Sequence, residues 1–479
     1  MTMTLIDQSK QFQGRIIMVG YGTIGQCALP MLFDNFSLSP EHYIVIDGGD
    51  RRSQFTIYRE RGMQYFNQRL GIDNLGQVLA PLAEPGDLLV NLSVGVDSVA
   101  LADWCHQNGV VYVDTSMEPW EDDVWDRSIS AHSRTEYAYH QQARKHAAAH
   151  WRADGPTAVF CHGANPGLVN HFVKAALLDI ASASGIAVDT PSSREQWASL
   201  ARLTGTKVIH ISERDTQITS EPKRPGEFVN TWSIPGFVEE ASMPVEIGWG
   251  THEKGLPPHA HHHTDGPGNA IYSTRPAASV LLRSWVPLGG PISGLALPHS
   301  ESITLSEYFT LIEDGQVSYR PTVAFAYMPC DAAMASLHET MMCDWVMQTS
   351  KRVLNDDIVS GRDELGVLLL GHKAGGWWYG SQLDIDEARR LVPGNNPTAV
   401  QVAAGAVAAA LWAVVNPTRG YCEPEDLPYE QVLEVALPYL GPMVSAPTAW
   451  TPLKNRRLIF PESWLDQQDP WQFSNFLLR

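Results

Sequence analysis

A glycine-rich turn near the N-terminus constrains the fold of this chain more than any other feature of its sequence. The apolar run 16–19 is followed by three glycines with the spacing G-x-G-x-x-G, and a second apolar segment follows at 27–36. This order is typical of the strand, tight turn and helix start of a dinucleotide-binding unit. In such a unit Gly20 makes the turn, Gly22 lets the backbone approach a pyrophosphate, and Gly25 lets the helix pack closely on the strand.

The next strand supplies a second part of the same pattern. Thr23 and Ile24 complete the turn, and the apolar run 43–46 ends in Asp47, twenty-two residues after Gly25. A carboxylate at that position can accept hydrogen bonds from the ribose hydroxyls and repels a 2′-phosphate. Arg51 and Arg52 follow closely and leave NADP open as an alternative, but we favour NAD. The competing interpretation is a glycine turn in an α/β fold that binds no nucleotide.

Composition narrows the class of protein. The chain has 479 residues, of which 44% are hydrophobic and 18% charged, as expected for a soluble protein of about two or three domains. We see no secretory signal, and the six cysteines lack C-x-x-C spacing, so we expect a reduced, cytoplasmic protein. The formal charge of −19 argues against a nucleic-acid partner and mildly favours cationic ligands. The apolar run 399–415 is alanine-rich, and we expect a buried helix there rather than a membrane span.

The pattern of strands and helices predicts two domains. Residues 12–165 alternate short apolar strands with helices, which indicates a Rossmann-type, doubly wound parallel sheet, completed by helices from about 395–425. Ligands bind at the carboxyl ends of such strands, where the loops 91–95, 115–120 and 163–167 follow. In and beside these loops we expect further cofactor-binding residues, namely Asn91, Ser93, Thr115, Ala164 and Asn165.

The rest of the chain loses this alternation. For residues 166–394 we predict an α+β domain with a mixed or antiparallel sheet that carries the substrate pocket and the dimer interface, and for 426–479 a segment that packs on both domains. The segment 257–267 is rich in histidine, proline and glycine. Local histidine clusters can bind metal, but this composition favours a solvent-exposed loop, and we predict no metal site from His259, His261, His262 and His263.

Several polar clusters follow predicted strands in the middle of the chain. They include Glu118 before Trp120, Glu213 in the run Ser-Glu-Arg-Asp, and the pair Glu239–Glu240. For any single carboxylate a surface or capping role is the default, because most acidic side chains are exposed. For Trp232 the default is core packing, and the alternative is a platform for a cation over its ring.

A series of sequence blocks is similar to bacterial homospermidine synthases. The blocks occur between residues 12 and 479 in the order GYGTIG, VNLSV, EPW, GANPG, HISERDTQ, FVNTWS, GWGTHE, RSW, HSESI, DELGVLLLGH, WYGSQL and DPWQF. The resemblance implies an NAD-dependent transferase with a fold similar to saccharopine dehydrogenase, usually a homodimer. Members condense two putrescines to homospermidine and ammonia, and can also use spermidine as the aminobutyl donor.

The resemblance also implies roles for particular residues. The family's active-site positions correspond to Glu118, Asn165, Glu213, Trp232, Glu240, His299 and Asp363. One position departs from the pattern, because relatives often have an acid where this chain has Gly95, with Asp97 two residues further on. Either Asp97 replaces that acid, or the contact is lost and donor preference changes.

Simple chemistry agrees with these roles. Putrescine carries two ammonium groups, and hydride can leave the carbon beside nitrogen only when that amine is unprotonated. We expect Glu213 to handle the proton, Glu118 and Glu240 to hold the distal ammonium groups, and Trp232 to stabilise the cationic iminium. The alternatives are a net NAD(P)-dependent dehydrogenase of the saccharopine or carboxynorspermidine type, which should present arginines to its substrate, and an inactive NAD-binding protein.

Overall fold

The glycine-rich turn lies at the centre of a parallel sheet. The computed structural model describes residues 3–126, 128–456 and 464–478. Across the sheet its strands follow in the order Tyr421–Cys422, Ala158–Val159, Val111–Asp114, Leu88–Asn91, Ile16–Val19, Tyr43–Asp47 and Gln64–Asn67. All neighbouring strands in this order are parallel. The chain reverses its direction of winding between Ile16–Val19 and Leu88–Asn91, which is where a doubly wound sheet binds its ligand.

The three glycines have the separate roles that the motif predicts. Gly20 has φ +95°, and a Cβ atom there would lie 2.6 Å from the backbone of Leu92. A Cβ atom on Gly25 would lie 2.3 Å from the carbonyl oxygen of Gly20, so the helix Thr23–Asn35 can approach the turn only without a side chain. A Cβ atom on Gly22, in contrast, would meet nothing within 4 Å. That position faces open space, into which a ligand can fit.

The second sheet is mixed, as the sequence predicts. Its main path runs Ala260–His262, Ala270–Pro276, Pro244–Gly248, Thr322–Met328, Val208–Asp215, Arg362–Leu370, Gly376–Asp384 and Met443–Thr448. Three further strands join it off this path: Leu281–Val286, Gly290–Leu295 and Leu477–Leu478. Short two-stranded pairs form between Leu311–Glu313 and Gln316–Tyr319, Glu227–Asn230 and Ser350–Val353, and Ile218–Thr219 and Ile358–Ser360. The C-terminal residues therefore contribute strands to this sheet.

Helices cover both sheets. In chain order the α-helices are Leu5–Ser9, Thr23–Asn35, Thr56–Glu60, Leu75–Leu79, Ser98–Asn108, Glu121–Val124, Glu136–His150, Leu168–Ala183, Arg194–Thr204, Ile234–Ser242, Ser300–Tyr308, Asp331–Met342, Ile385–Leu391, Pro397–Val415, Tyr429–Ala436 and Phe473–Phe476. Single 3₁₀ turns occur at Pro40–His42, Ala277–Ser279, Pro424–Asp426 and Leu437–Tyr439.

The helix Pro397–Val415 joins the two halves of the molecule. It is long and apolar enough to cross a membrane, yet its residues from Pro397 to Ala413 are almost all buried inside the protein. It packs on the helix Thr23–Asn35 and on strands of both sheets. The expectation of a buried helix is therefore confirmed, and small side chains on every face explain how it fits between its neighbours.

The histidine-rich segment differs from the sequence prediction. Ala260–His262 is an edge strand that pairs antiparallel with Ala270–Pro276, and the side chain of His263, directly after it, has no exposed surface. The prediction of a solvent-exposed loop is wrong for this part of the segment. The ring of His263 stacks on that of Tyr137 with centroids 3.9 Å apart. This contact joins residues far apart in the chain, so local composition could not reveal it.

Candidate active site

The carboxyl ends of the central parallel strands open into a long groove. Its lining includes most of the predicted cofactor residues, namely Gly20, Gly22, Thr23, Ile24, Asp47 and Ser93. Gly22 is the N-cap of the helix Thr23–Asn35 and provides no side-chain cap, so the first N–H groups of that helix remain available to an anion. Gly25 lies behind this surface, where it supports the turn.

Asp47 is held at the end of its strand by backbone donors. Its Oδ2 accepts from the backbone N–H of Tyr21 at 2.5 Å and its Oδ1 from that of Gly49 at 2.7 Å. The guanidinium of Arg52 donates twice to Asp50, at 2.8 and 2.6 Å, while Nε of Arg51 lies 3.8 Å from Asp47. Arg52 is thus engaged with its own neighbour, which favours the interpretation of Asp47 as the ribose ligand.

A second cavity adjoins the groove and contains most of the predicted catalytic residues. Ile24, Leu92, Ser93, Val94 and Ser233 line both spaces, so the two are continuous. From the predicted set, the cavity is lined by Thr115, Glu118, Ala164, Asn165, Glu213, Trp232, Glu240 and His299. These residues come from both sheets and from the loops between them, and the fold brings them together at the predicted edge of the parallel sheet.

Besides Gly25, two predicted residues lie outside these linings. Asn91 is buried at the end of its strand, where its Oδ1 accepts a hydrogen bond from the hydroxyl of Ser93 at 2.6 Å. Asp363 is buried behind the cavity, and its Oδ2 accepts from the hydroxyl of Thr398 at 2.5 Å. Each therefore supports a residue that lines the cavity, since Ser93 and Thr398 both do so.

Glu213 belongs to a group of three buried carboxyl groups. It lies on the strand Val208–Asp215, and its Oε2 accepts from Nδ2 of Asn165 at 2.7 Å. Burial and the charges of Asp363 and Asp215 raise the pKa of Glu213 well above its ordinary value. Burial likewise raises the pKa of Asp215, to about 6. Cross-strand pairing causes this proximity, because Asp363 pairs with Asp215 and Leu365 with Glu213.

Glu118 and Glu240 lie on another side of the cavity. Oε2 of Glu118 accepts from the backbone N–H of Gly95 at 2.9 Å, and its Oε1 accepts from the hydroxyl of Ser116 at 2.8 Å. Burial and the charge of Glu240 raise the pKa of Glu118. Glu239, next to them, has a pKa raised to about 9 by burial and by the charges of Glu118 and Glu240. A site with several such acids binds cations, because a cation stabilises their charged forms.

His299 is a basic residue that lies against these acidic side chains. Its Nε2 lies 3.2 Å from Glu240 and its Nδ1 3.3 Å from the buried Glu301. Burial lowers the pKa of His299, but the charges of Glu301 and Glu240 outweigh burial and raise it well above its ordinary value. Neither contact has hydrogen-bond geometry, so both are ion pairs. His299 thus compensates part of the negative charge of Glu240 and Glu301.

Trp232 forms an aromatic wall of the cavity. It is only half-buried, and its Nε1 donates a hydrogen bond to the hydroxyl of Tyr327 at 3.1 Å. The rings of Phe325 and Tyr327 stack beside it with centroids 5.6 Å apart. The indole is therefore held by its nitrogen while part of its surface faces the cavity, as a cation platform requires.

Sequence reasoning missed three groups at this site. Glu136 lines the cavity, accepts from the hydroxyl of Ser300 at 2.6 Å, and has a pKa raised to about 7 by burial. Ser300 and Tyr327 line the cavity as well. Glu136 is the first residue of a helix, where an acidic side chain is expected because it interacts favourably with the helix dipole. Its place in the cavity can therefore be recognised only from the tertiary structure.

The departure at Gly95 has a conformational basis. Gly95 has φ +72°, and a Cβ atom there would lie 2.9 Å from Cβ of Glu121. Asp97, two residues on, is the N-cap of the helix Ser98–Asn108, and its Oδ1 accepts from the backbone N–H of Ala100 at 2.7 Å. Asp97 therefore has a structural role, and the loop has little room for a side chain at position 95.

Comparison with known proteins places these features in a family. Residues 16–159 match the saccharopine dehydrogenase NADP binding domain, and residues 163–447 the saccharopine dehydrogenase C-terminal domain. The chain is 42% identical over 474 residues to homospermidine synthase of Blastochloris viridis, covering 98% of each chain. It is 41% identical over 476 residues to homospermidine synthase of Mesorhizobium japonicum, covering 98% of this chain and 97% of that one.

A solved structure shows the same fold. The crystal structure of the homospermidine synthase from Legionella pneumophila in complex with NAD has a TM-score of 0.90 to this chain, with 40% identity and 98% of each chain covered. The glycine turn, the acidic cavity and these full-length similarities agree with one another. The chain belongs to the homospermidine synthase family, within the wider group of saccharopine dehydrogenase folds.

Proposed function

We propose that this protein is an NAD-dependent homospermidine synthase that transfers an aminobutyl group from one putrescine to another and releases ammonia. The observation that carries the proposal is the cavity of buried carboxyl groups and one indole that opens directly into the dinucleotide groove. A diamine is the substrate class that such a cavity selects, because its ammonium groups compensate the acids and its methylene chain can lie against the aromatic wall.

The groove has the features that a dinucleotide needs. Gly22 leaves space for the pyrophosphate, the helix that follows offers free N–H groups, and Asp47 stands at the position of the ribose ligand. The reaction requires a hydride acceptor that returns the hydride after the nitrogen has been exchanged, and this is the chemistry that NAD supplies when bound. Since the hydride is returned, the cofactor is not consumed and we expect it to stay tightly bound.

Glu213 is the residue that we expect to move the proton. Burial and its acidic neighbours raise the pKa of this carboxyl group well above its ordinary value and so toward that of an amine. An ammonium group that enters the cavity favours the charged form of Glu213, which is the form that can accept its proton. The hydrogen bond from Asn165 fixes the carboxylate for this transfer. The free amine can then lose hydride from its neighbouring carbon.

The remaining residues hold the charges at the two ends of the substrate. Glu118 and Glu240 accept the distal ammonium groups, and Glu239 adds to the negative potential around them. Trp232 faces the iminium that forms when hydride has left, and such cation–π contacts contribute about 0.5–2 kcal/mol. The amine of a second putrescine attacks this iminium, and loss of ammonia leaves a new iminium that joins the two carbon chains. Return of the hydride to that iminium gives the secondary amine. Water must stay out during these steps.

The alternative is a net dehydrogenase that acts on amino-acid substrates. Such substrates carry carboxylates, which proteins usually bind with arginine. Among the residues described by the structure, none that lines the cavity is arginine or lysine. This observation favours a polycationic substrate over the saccharopine-type alternative.

One assay distinguishes the two functions. Purified protein is incubated with putrescine and a substoichiometric amount of NAD, and homospermidine and NADH are both measured. We expect several molecules of homospermidine per NAD and no lasting NADH absorbance. NADH formed in proportion to oxidised amine would instead support a net dehydrogenase. Replacing putrescine by spermidine in the same assay tests the second donor.

We further propose that the protein acts as a cytoplasmic homodimer, without a nucleic-acid or membrane partner. Its acidic charge argues against a nucleic-acid partner, and the homodimer is what the resemblance to homospermidine synthases implies. Light scattering coupled to size exclusion tests it directly, because a dimer has twice the 52.9 kDa mass of the chain.

A further inference from the structure

The strongest unassigned cluster of side chains lies where the edge of the mixed sheet meets the loop before the helix Glu136–His150. His132, His263 and Asp265 each offer one ligand atom there, and these atoms all lie within 4.8 Å of one another. Nε2 of His132 is 3.3 Å from Oδ1 of Asp265. Ligands of a tetrahedral zinc ion lie about 3.3 Å apart, given metal–ligand bonds of about 2.0–2.1 Å.

A second observation points to a missing ligand. The side chain of His263 has no exposed surface, and neither of its ring nitrogens makes a hydrogen bond to any described residue. Nε2 lies 3.3 Å from Oε1 of Glu246, but without hydrogen-bond geometry. Buried polar atoms normally have a partner, because leaving one without a hydrogen bond is energetically costly. Nε2 of His132 and Oδ1 of Asp265 are unsatisfied in the same way.

We propose that His132, His263 and Asp265 bind one divalent transition-metal ion, of which zinc fits best. Two imidazoles and one carboxylate are a common zinc ligand set, and they leave a coordination position for water. The carboxyl group of Glu246 lies against the inner side of the cluster and can support the histidine, as carboxylates commonly do around zinc.

The surrounding contacts are compatible with such a site. The ring of Tyr137 stacks on His263, and its hydroxyl donates to the backbone carbonyl of Asp265, which fixes both residues. Nζ of Lys145 lies 3.4 Å from Oδ2 of Asp265, but it is mostly exposed and leaves Oδ1 available. An exposed pair of this kind contributes little and does not prevent binding of a divalent ion.

The position of the cluster suggests what the ion does. His132 belongs to a loop whose residues Ile129 and Ser133 lie beside Glu118 in a surface pocket next to the active site. His263 and Asp265 follow the edge strand of the mixed sheet. A metal ion at this point would link the loop to the second sheet and so stabilise the position of the loop beside Glu118.

Zinc binding can be measured directly on the full-length protein, prepared without a polyhistidine tag. After removal of metals with a chelator, the protein is dialysed against zinc chloride and bound zinc is counted. Cobalt, added alone to the apo-protein, gives visible absorption bands that report nitrogen and oxygen ligands. We expect one ion per chain, and a higher melting temperature in the presence of zinc.

Matched variants test the ligand set. His132→Gln and Asp265→Asn change partly exposed side chains and should fold normally, and we expect each to weaken zinc binding at least tenfold. His261→Gln and His262→Gln remove exposed histidines from the neighbouring strand and should bind zinc as the wild type does. Absence of stoichiometric zinc binding by the wild type would overturn the proposal. Equal affinity in all four variants, or loss only in the two strand variants, would overturn it as well.

Discussion

Replacing Glu213 with glutamine separates proton transfer from the shape of the site. The amide occupies nearly the same volume, and its oxygen can still accept the hydrogen bond that Asn165 donates at 2.7 Å. It cannot accept a proton from the substrate ammonium. General base catalysis contributes about 10²–10⁴-fold to rate, which corresponds to about 3–5 kcal/mol of barrier. We therefore expect the rate of hydride transfer to fall about 100- to 10,000-fold at every pH.

A single-turnover experiment measures this step in isolation. The enzyme with bound NAD is mixed rapidly with putrescine, and transient absorbance of NADH reports the first hydride transfer. Affinity for NAD, measured by calorimetry, should stay as in the wild type, because Glu213 does not line the dinucleotide groove. A variant that transfers hydride at the wild-type rate and shows only a higher KM would refute the role of Glu213 as proton acceptor.

Glu253→Gln is a matched control for the loss of a buried carboxyl group. Glu253 is also buried, with a pKa raised to about 7, but it accepts from Thr322 and from the backbone of Phe473, away from the cavity. Its replacement should leave hydride transfer unchanged. If both glutamine variants lost activity equally, a general effect on folding would explain the loss better than proton transfer.

Three further predictions follow from the same geometry. Trp232→Ala should lower turnover about 10-fold or more with NAD binding preserved, whereas Trp232→Phe, which keeps an aromatic face, should lose less; equal losses would remove the cation–π role. Gly22→Ala should keep the wild-type melting temperature and lose NAD affinity. Gly20→Ala should instead lower the melting temperature, because of these two glycines only Gly20 has a positive φ and a crowded Cβ position. Without substrate, the protein should melt at a lower temperature at pH 9 than at pH 6, because folding raises the pKa of Glu239 to about 9, so the folded chain holds a proton that the unfolded chain has released. The raised pKa of Asp215, about 6, should cause a similar loss between about pH 4 and pH 6. Putrescine, but not butylamine, should reverse much of that loss, and a melting temperature that rises with pH would contradict the direction of these shifts.

The sequence predicted the parallel sheet well because its signals are local. The glycine turn, the Asp47 strand and the loops after each strand depend on backbone conformation and on short apolar runs, which neighbouring residues determine. For the cavity, the sequence predicted only those residues whose roles the resemblance to homospermidine synthases implies. It could not find Glu136 or Tyr327, whose roles come from contacts with distant elements, nor the burial of His263, which depends on stacking with Tyr137.

The acidic residues of the cavity explain why one chamber can both bind a diamine and deprotonate it. Acids that were fully ionised in an empty cavity would repel one another, and buried neutral acids alone would not attract a cation. Here burial raises the pKa of Glu213 and of Glu118. In the proposed mechanism, binding of a dication favours ionisation of the same carboxyl groups, and Glu213 is then in the form that accepts a proton from the substrate. This coupling predicts that putrescine binding releases protons to buffer, in an amount that calorimetry in buffers of different ionisation enthalpy can measure.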